Sequence, residues 1–153
     1  MAARKTAWEK MRCGKLPVVV RDLPAAMEKG IGKWFPPGTP PSKRTMLVST
    51  PEEVEQFIAA IPPGQVVRME DMRAELAARH GATICCPLTA AIFANIVARA
   101  YAEREAETGE ASIGWWRLLA SKGKLNPKYP GGMVEQERRL AAEGIVLPTG
   151  KSR

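Results

Sequence analysis

Six prolines (Pro17, Pro24, Pro36, Pro37, Pro40 and Pro41) and four glycines (Gly14, Gly30, Gly32 and Gly38) fall within the first 45 residues. A proline fixes φ and lacks the backbone donor, so no long helix or strand can run through this stretch. Only Thr6 to Met11 has room for a turn or two of helix, and Val18-Val19-Val20 for a short extended piece. Residues 1–45 therefore read as a basic arm, 46–148 as one compact domain and 149–153 as a tail, a division that 153 residues can support. Trp8, Trp34 and Phe35 are expected to pin the arm to the domain, with contact to bases or a partner as the alternative.

Inside the domain, Thr50 followed by Pro51, Glu52 and Glu53 combines a hydroxyl cap, a proline suited to the first helical position and acids facing the positive end of the dipole. Val54, Phe57, Ile58 and Ile61 continue at helical spacing until Pro62-Pro63-Gly64 ends the helix. After a short extended piece at Gln65 to Arg68, a second helix is expected from Glu70 to His80, with Met72, Leu76 and Ala77 inward and Gly81 as its stop.

The third helix, Pro87 to Glu105, divides its surface in an unusual way. At 100° per residue Leu88, Ile92, Phe93, Ile96 and Val97 share one arc. Ala90, Ala91, Ala94, Asn95 and Ala98 fill the opposite arc with almost no charge. Small residues let something approach the backbone closely, either another helix or the floor of a DNA groove. Downstream, Leu118 to Leu125 reads as two short strands around Lys122-Gly123, a basic hairpin following helix, turn and helix. A last helix spans Met133 to Glu143, capped by Gly144, with Ile145, Val146 and Leu147 folding back onto the core. The class expected is mainly α (α+β).

Charge is unevenly spread. Residues 1–44 carry ten Lys/Arg against three Asp/Glu, residues 45–112 five against ten, and residues 113–153 eight against three, for +7 in all. Two basic ends flanking an acidic middle suit contact with an anionic polymer through selected surfaces, or simple solubility. The adjacent Cys85 and Cys86, with Cys13 in the arm, suggest no disulfide framework. His80 with those cysteines completes no recognised zinc spacing, so no metal and no cofactor are expected. The sequence offers no apolar run of spanning length and no apolar stretch near residue 1 that would form a secretory signal. A cytoplasmic, nucleoid-associated monomer is the setting expected.

The run Gly114-Trp115-Trp116-Arg117-Leu118, then Lys122-Gly123-Lys124, Pro130-Gly131-Gly132 and Glu143-Gly144, with Ile61-Pro62-Pro63-Gly64-Gln65-Val66 upstream, resembles the DNA-binding domain of the 6-O-alkylguanine-DNA alkyltransferases. The resemblance covers about Val54 to Ile145 and implies a winged helix-turn-helix. The family carries Pro-Cys-His-Arg-Val at the first run; here Trp115 stands at the acceptor cysteine and Trp116 at the histidine. The chain is thus similar to the alkyltransferase-like subgroup, which keeps the DNA-binding frame without the methyl acceptor, and no catalytic residue is implied.

The resemblance further implies a lesion pocket of Trp115, Trp116, Arg117 and Met69, able to stack on an extruded base. Duplex contacts would come from Thr89, Ala90, Ala91, Ala94 and Asn95 on the helix and from Lys122, Lys124 and Lys128 near the backbone. The family's phosphate-rotating tyrosine falls on Met69 and its arginine finger on or near Ala90, so either Arg68 and Arg73 substitute from nearby or the protein does not flip bases. Glu137 matches the family's helix glutamate and is expected to buttress the tryptophan loop. The implied partners are double-stranded, alkylated DNA and nucleotide excision repair proteins. Three alternatives stay open: a winged-helix regulator or architectural protein without lesion preference, a residual methylated-DNA cysteine methyltransferase using Cys85 or Cys86 at the start of the third helix, and a protein-interaction domain packing its alanine face on a partner.

Overall fold

Thr6 gives the first element its cap. Its hydroxyl accepts from the Glu9 amide at 3.1 Å and the Glu9 carboxylate accepts from the Thr6 amide at 2.8 Å. In this computed structural model, which describes residues 4–21, 23 and 28–147, the chain runs through α1 (Ala7–Met11), β1 (Val18–Val20), α2 (Glu28–Ile31), β2 (Met46–Val48), α3 (Pro51–Ala59), β3 (Val67–Arg68), α4 (Met69–Arg79), β4 (Ile84–Cys85), α5 (Pro87–Thr108), β5 (Leu118–Leu119) and α6 (Gly132–Ala142). The protein is an α+β fold.

The expected arm is folded onto the domain. Met11 has no exposed surface and belongs to the same core as Leu47, Ile58, Leu76 and Trp115. β1 pairs antiparallel with β2, which pairs parallel with β4, giving a sheet in the order β1-β2-β4. Trp8 packs edge-on against Tyr101 with centroids 5.5 Å apart, under the Arg104 guanidinium at 3.4 Å. Arg12 makes a two-pronged contact with buried Glu55, which also accepts from the Tyr101 hydroxyl. Burial, and then its own hydrogen bond to the Glu55 carboxylate, push the Tyr101 phenol up to about 12. Phe35 is buried, whereas Trp34 stays 42% exposed beneath Arg73. Expected residues 1–3, 22, 24–27 and the tail lie outside the described residues.

α3 starts as its sequence dictates: Thr50 is extended, its hydroxyl accepts from Glu53 N, and Pro51 opens the helix. In α5 the small-residue face meets other helices, the first of its two expected partners, and not a groove. Ala90, Ala94, Ala98 and Val97 have no exposed surface, while Leu88 is 69% and Ile92 54% exposed. The cause is close packing: α5 is crossed by α1 and α3 and touches the segment Trp115–Arg117, and only small side chains fit between such elements. Of the bulky arc, Leu88 and Ile92 are left outside, while Phe93 and Ile96 pack against the core and Val97 lies within it.

The expected hairpin also differs. β5 pairs with β3 in parallel, not with a return strand of its own. Beyond it the chain reverses through Ser121–Gly123, closed by Ala120 N–H donating to Lys124 O at 2.8 Å. Lys122 takes φ 65°, a left-handed conformation costly for a side chain, and its amide donates to the Glu70 carboxylate at 2.9 Å. At the end of α6, Ile145 and Leu147 pack on the core as expected, but Val146 is 85% exposed.

Candidate functional site

The Trp115–Arg117 segment is a single 3-10 turn entered from Gly114. Gly114 has an ordinary φ of −88°, so glycine is needed for space and not for torsion. A Cβ there would meet Arg117 Cζ at 2.4 Å, because the guanidinium lies folded back over the Gly114 backbone. In that position Arg117 Nη1 donates to Ile61 O at 3.0 Å and Nε to Glu143 Oε1 at 2.9 Å. Glu143 also accepts from the Trp116 indole N–H and from Gly64 N at 2.8 Å. One carboxylate therefore joins the Ile61–Gly64 turn, the tryptophan turn and the end of α6. Burial opposes its ionisation, but the bonds from Arg117, Gly64 and Trp116 prevail, and its pKa is lowered. This corrects the expectation for Glu137, which faces solvent; Glu143 holds the tryptophan loop instead.

Trp115 is the largest fully buried side chain, 1% exposed. Its ring meets Trp116 and Tyr129 edge-on, each at 5.5 Å, and Arg139 sits 4.9 Å from its centroid. Burial opposes the charge of Arg139, and its bonds to Glu105 and Glu135 more than offset this, leaving its pKa raised. The Trp115 indole N–H is buried without a hydrogen-bond partner among the described residues. Around it, fully buried Gln136 accepts from Asn126 N at 2.7 Å and donates to Trp116 O at 3.0 Å, and Tyr129 OH donates to Leu118 O at 3.0 Å. Arg139, Gln136 and Tyr129 were not anticipated; only the i,i+4 spacing of Glu135 and Arg139 hinted at a pair.

Trp115, Trp116 and Arg117 lie side by side in this one turn. Met69, the fourth residue expected in the pocket, is 4% exposed and belongs to the same core. Ala90 and Ala94 are sealed inside, so they offer no surface to a groove, which corrects their expected role. Thr89 and Ala91 are half-buried, with the Thr89 hydroxyl 3.5 Å from Cys86 O. Asn95 Oδ1 accepts from Asn126 Nδ2 at 3.2 Å, linking α5 to the lysine segment.

The basic residues separate into two groups. Lys122, Lys124 and Lys128 are exposed, and their ammonium groups make no ion pair among the described residues. Arg68 joins them: its Cδ lies 3.8 Å from where a Gly123 Cβ would stand, with its guanidinium on Asp71 at 2.8 Å. Arg73 instead lies 5.1 Å from the Trp34 ring, on the side of the arm.

His80 Nε2 meets Glu53 Oε2 at 2.6 Å. Cys85 and Cys86 are 3% and 6% exposed, and burial pushes the Cys85 thiol up to about 12, away from the thiolate a transfer reaction needs. Under native conditions iodoacetamide should therefore modify Cys13 alone, with Cys85 and Cys86 reacting only in denaturant. Peptide mapping after incubation with alkylated DNA checks the same point, since an adduct on Cys86 would restore the transferase alternative.

No family model, curated protein or solved structure matches this chain. No helix among the described residues is long and apolar enough to cross a membrane.

Proposed function

We propose that this is a non-enzymatic protein that binds duplex DNA through the Lys122–Lys128 segment, senses alkylated guanine at Trp115 and marks the site for nucleotide excision repair. Its frame, on this reading, is the winged helix-turn-helix of the alkyltransferase-like group, with the lysine loop as wing. The observation that carries the reading is the orphaned Trp115 indole N–H, at the position where the related family holds its reacting atom. A buried donor without an acceptor costs about 1–3 kcal/mol. An acceptor atom on an extruded base would satisfy it, while Arg117 and Glu143 hold the neighbouring Trp116 in place.

A second reading, DNA binding without lesion preference, is favoured by the burial of Trp115, whose ring has no open face for stacking. Fluorescence anisotropy on matched duplexes, with 6-O-methylguanine or guanine at one site, separates the two. The first reading expects about tenfold preference for the lesion, lost in Trp115→Phe, which keeps an aromatic side chain and removes the N–H. Equal affinity for both duplexes leaves the second reading, and no affinity for either ends both.

A further inference from the structure

We infer that the groove between α1, β1 and α5 is a docking site for an acidic, aliphatic-containing segment of a partner protein. The groove encloses about 300 Å³. Its apolar lining comes from Leu16 and Val18 of the first segment and from Phe93 and Ile96 of α5. Leu16 is 81% and Val18 57% exposed, an unusual state for large aliphatic residues beside a groove. The apolar lining continues outside it. Leu88 and Ile92 precede Ile96 at successive four-residue steps, so they extend one stripe along the helix, and both are exposed. β1 stands at the end of its sheet, which leaves this side of the sheet without a further strand among the described residues.

Charge selects the occupant. Lys10 and Lys15 line the groove, both are exposed, and neither ammonium makes an ion pair among the described residues. The carboxylates nearest in sequence are engaged: Glu9 closes the α1 cap, and Glu52 lies by Arg12 and accepts from Gly14 N. The vacant charge in the groove is thus positive around an aliphatic floor. A second copy of this chain would bring the same two lysines against themselves. A phosphate backbone would find aliphatic side chains where it needs donors, and a flat bilayer would not enter a concave groove. A segment alternating aliphatic residues with Asp or Glu matches both features.

The groove carries its own reporter. Cys13 lines it and is exposed, while Cys85 and Cys86 are buried. The test is selection of a random phage-displayed peptide library on the full chain, followed by synthesis of the enriched peptides. Enriched peptides should be acidic and aliphatic, and should slow the reaction of Cys13 with a chromogenic disulfide. They should bind about tenfold more weakly to the Lys10→Glu/Lys15→Glu variant and to Leu16→Asp, both of which alter exposed side chains only. Enrichment of basic peptides, absence of enrichment, or binding unchanged in both variants overturns the proposal. So does sedimentation showing a dimer that Leu16→Asp dissociates, or binding to phosphatidylserine vesicles that Lys10→Glu/Lys15→Glu abolishes. The inference is independent of DNA binding, because no residue of the lysine loop lines this groove.

Discussion

Replacing Glu143 with alanine should lower stability by about 2–3 kcal/mol, below the roughly 3–5 kcal/mol for breaking a fully buried ion pair, because this pair is part-buried. Arg117 and Glu143 side chains are 13% and 14% exposed, so neither is rehydrated easily when the other is lost. The same substitution leaves the Trp116 indole N–H and the Gly64 amide without their acceptor. Against a total of about 5–15 kcal/mol for an ordinary domain, this is a large share. Gly114→Ala should act on the same joint from the other side, since its Cβ would occupy the space of the Arg117 guanidinium. Urea unfolding of the two variants, followed by tryptophan fluorescence, measures both losses.

The pair also has a signature in pH. Because the Glu143 pKa is lowered by folding, its contribution is full above the unfolded glutamate value of about 4.3 and disappears as pH falls through the lower folded value. Wild-type stability should thus fall on acidification below about pH 4.3. Glu135, held down to about 2 first by Arg138, against the opposing effect of burial, and then by Arg139, adds to the same slope. Glu143→Gln should show a shallower decline, and an identical decline in both proteins would remove Glu143 from the account.

Removing the three lysines together should change DNA binding most. Each phosphate neutralised on duplex DNA contributes about −0.9 to the slope of log affinity against log salt. Lys122→Ala/Lys124→Ala/Lys128→Ala should therefore flatten the slope by about 2.7. Between 50 and 200 mM salt the wild type would then lose about fortyfold more affinity than the variant from these contacts alone. Arg68→Ala should have a smaller effect, because its guanidinium is already shared with Asp71. Anisotropy titrations across salt read both, and a slope unchanged in the triple variant would move the DNA interface elsewhere on the molecule.

Much of the fold was legible where the chemistry is local. Thr50-Pro51 and Gly81 announce the start of α3 and the stop of α4, because caps and left-handed residues act within a few positions. The orientation of α5 was not legible. An arc of Leu88, Ile92 and Phe93 and an arc of Ala90, Ala94 and Ala98 both satisfy a helical core pattern. The choice between them is made by α1 and α3, whose approach no periodicity records. The same limit explains Glu137 and Glu143: one lies midway along α6 and the other caps its end, and it is the long-range position of Gly64 and Trp116 that selects Glu143. The pairing of β3 with β5 involves two residues on each strand, too few for alternation to be read. In the site, the motif run brought forward Trp115, Trp116 and Arg117. The polar network beneath them, built on Gln136 and Asn126, depends on residues that look like ordinary surface positions until they are buried.

The parallel pairing of β3 with β5 has a kinetic consequence. Val67 meets Leu118 across a separation of half a hundred residues, and the Lys122 amide is held by Glu70 from the same distant segment. A hairpin could form early from its own local contacts; this loop has to wait until α4 and α5 have brought β3 into place. Its lysines should therefore be gathered late in folding, after the helices that carry β3. On the proposed reading, the surface offered to DNA is complete only in chains whose helical core is already assembled, so partly folded molecules would not compete for the same sites.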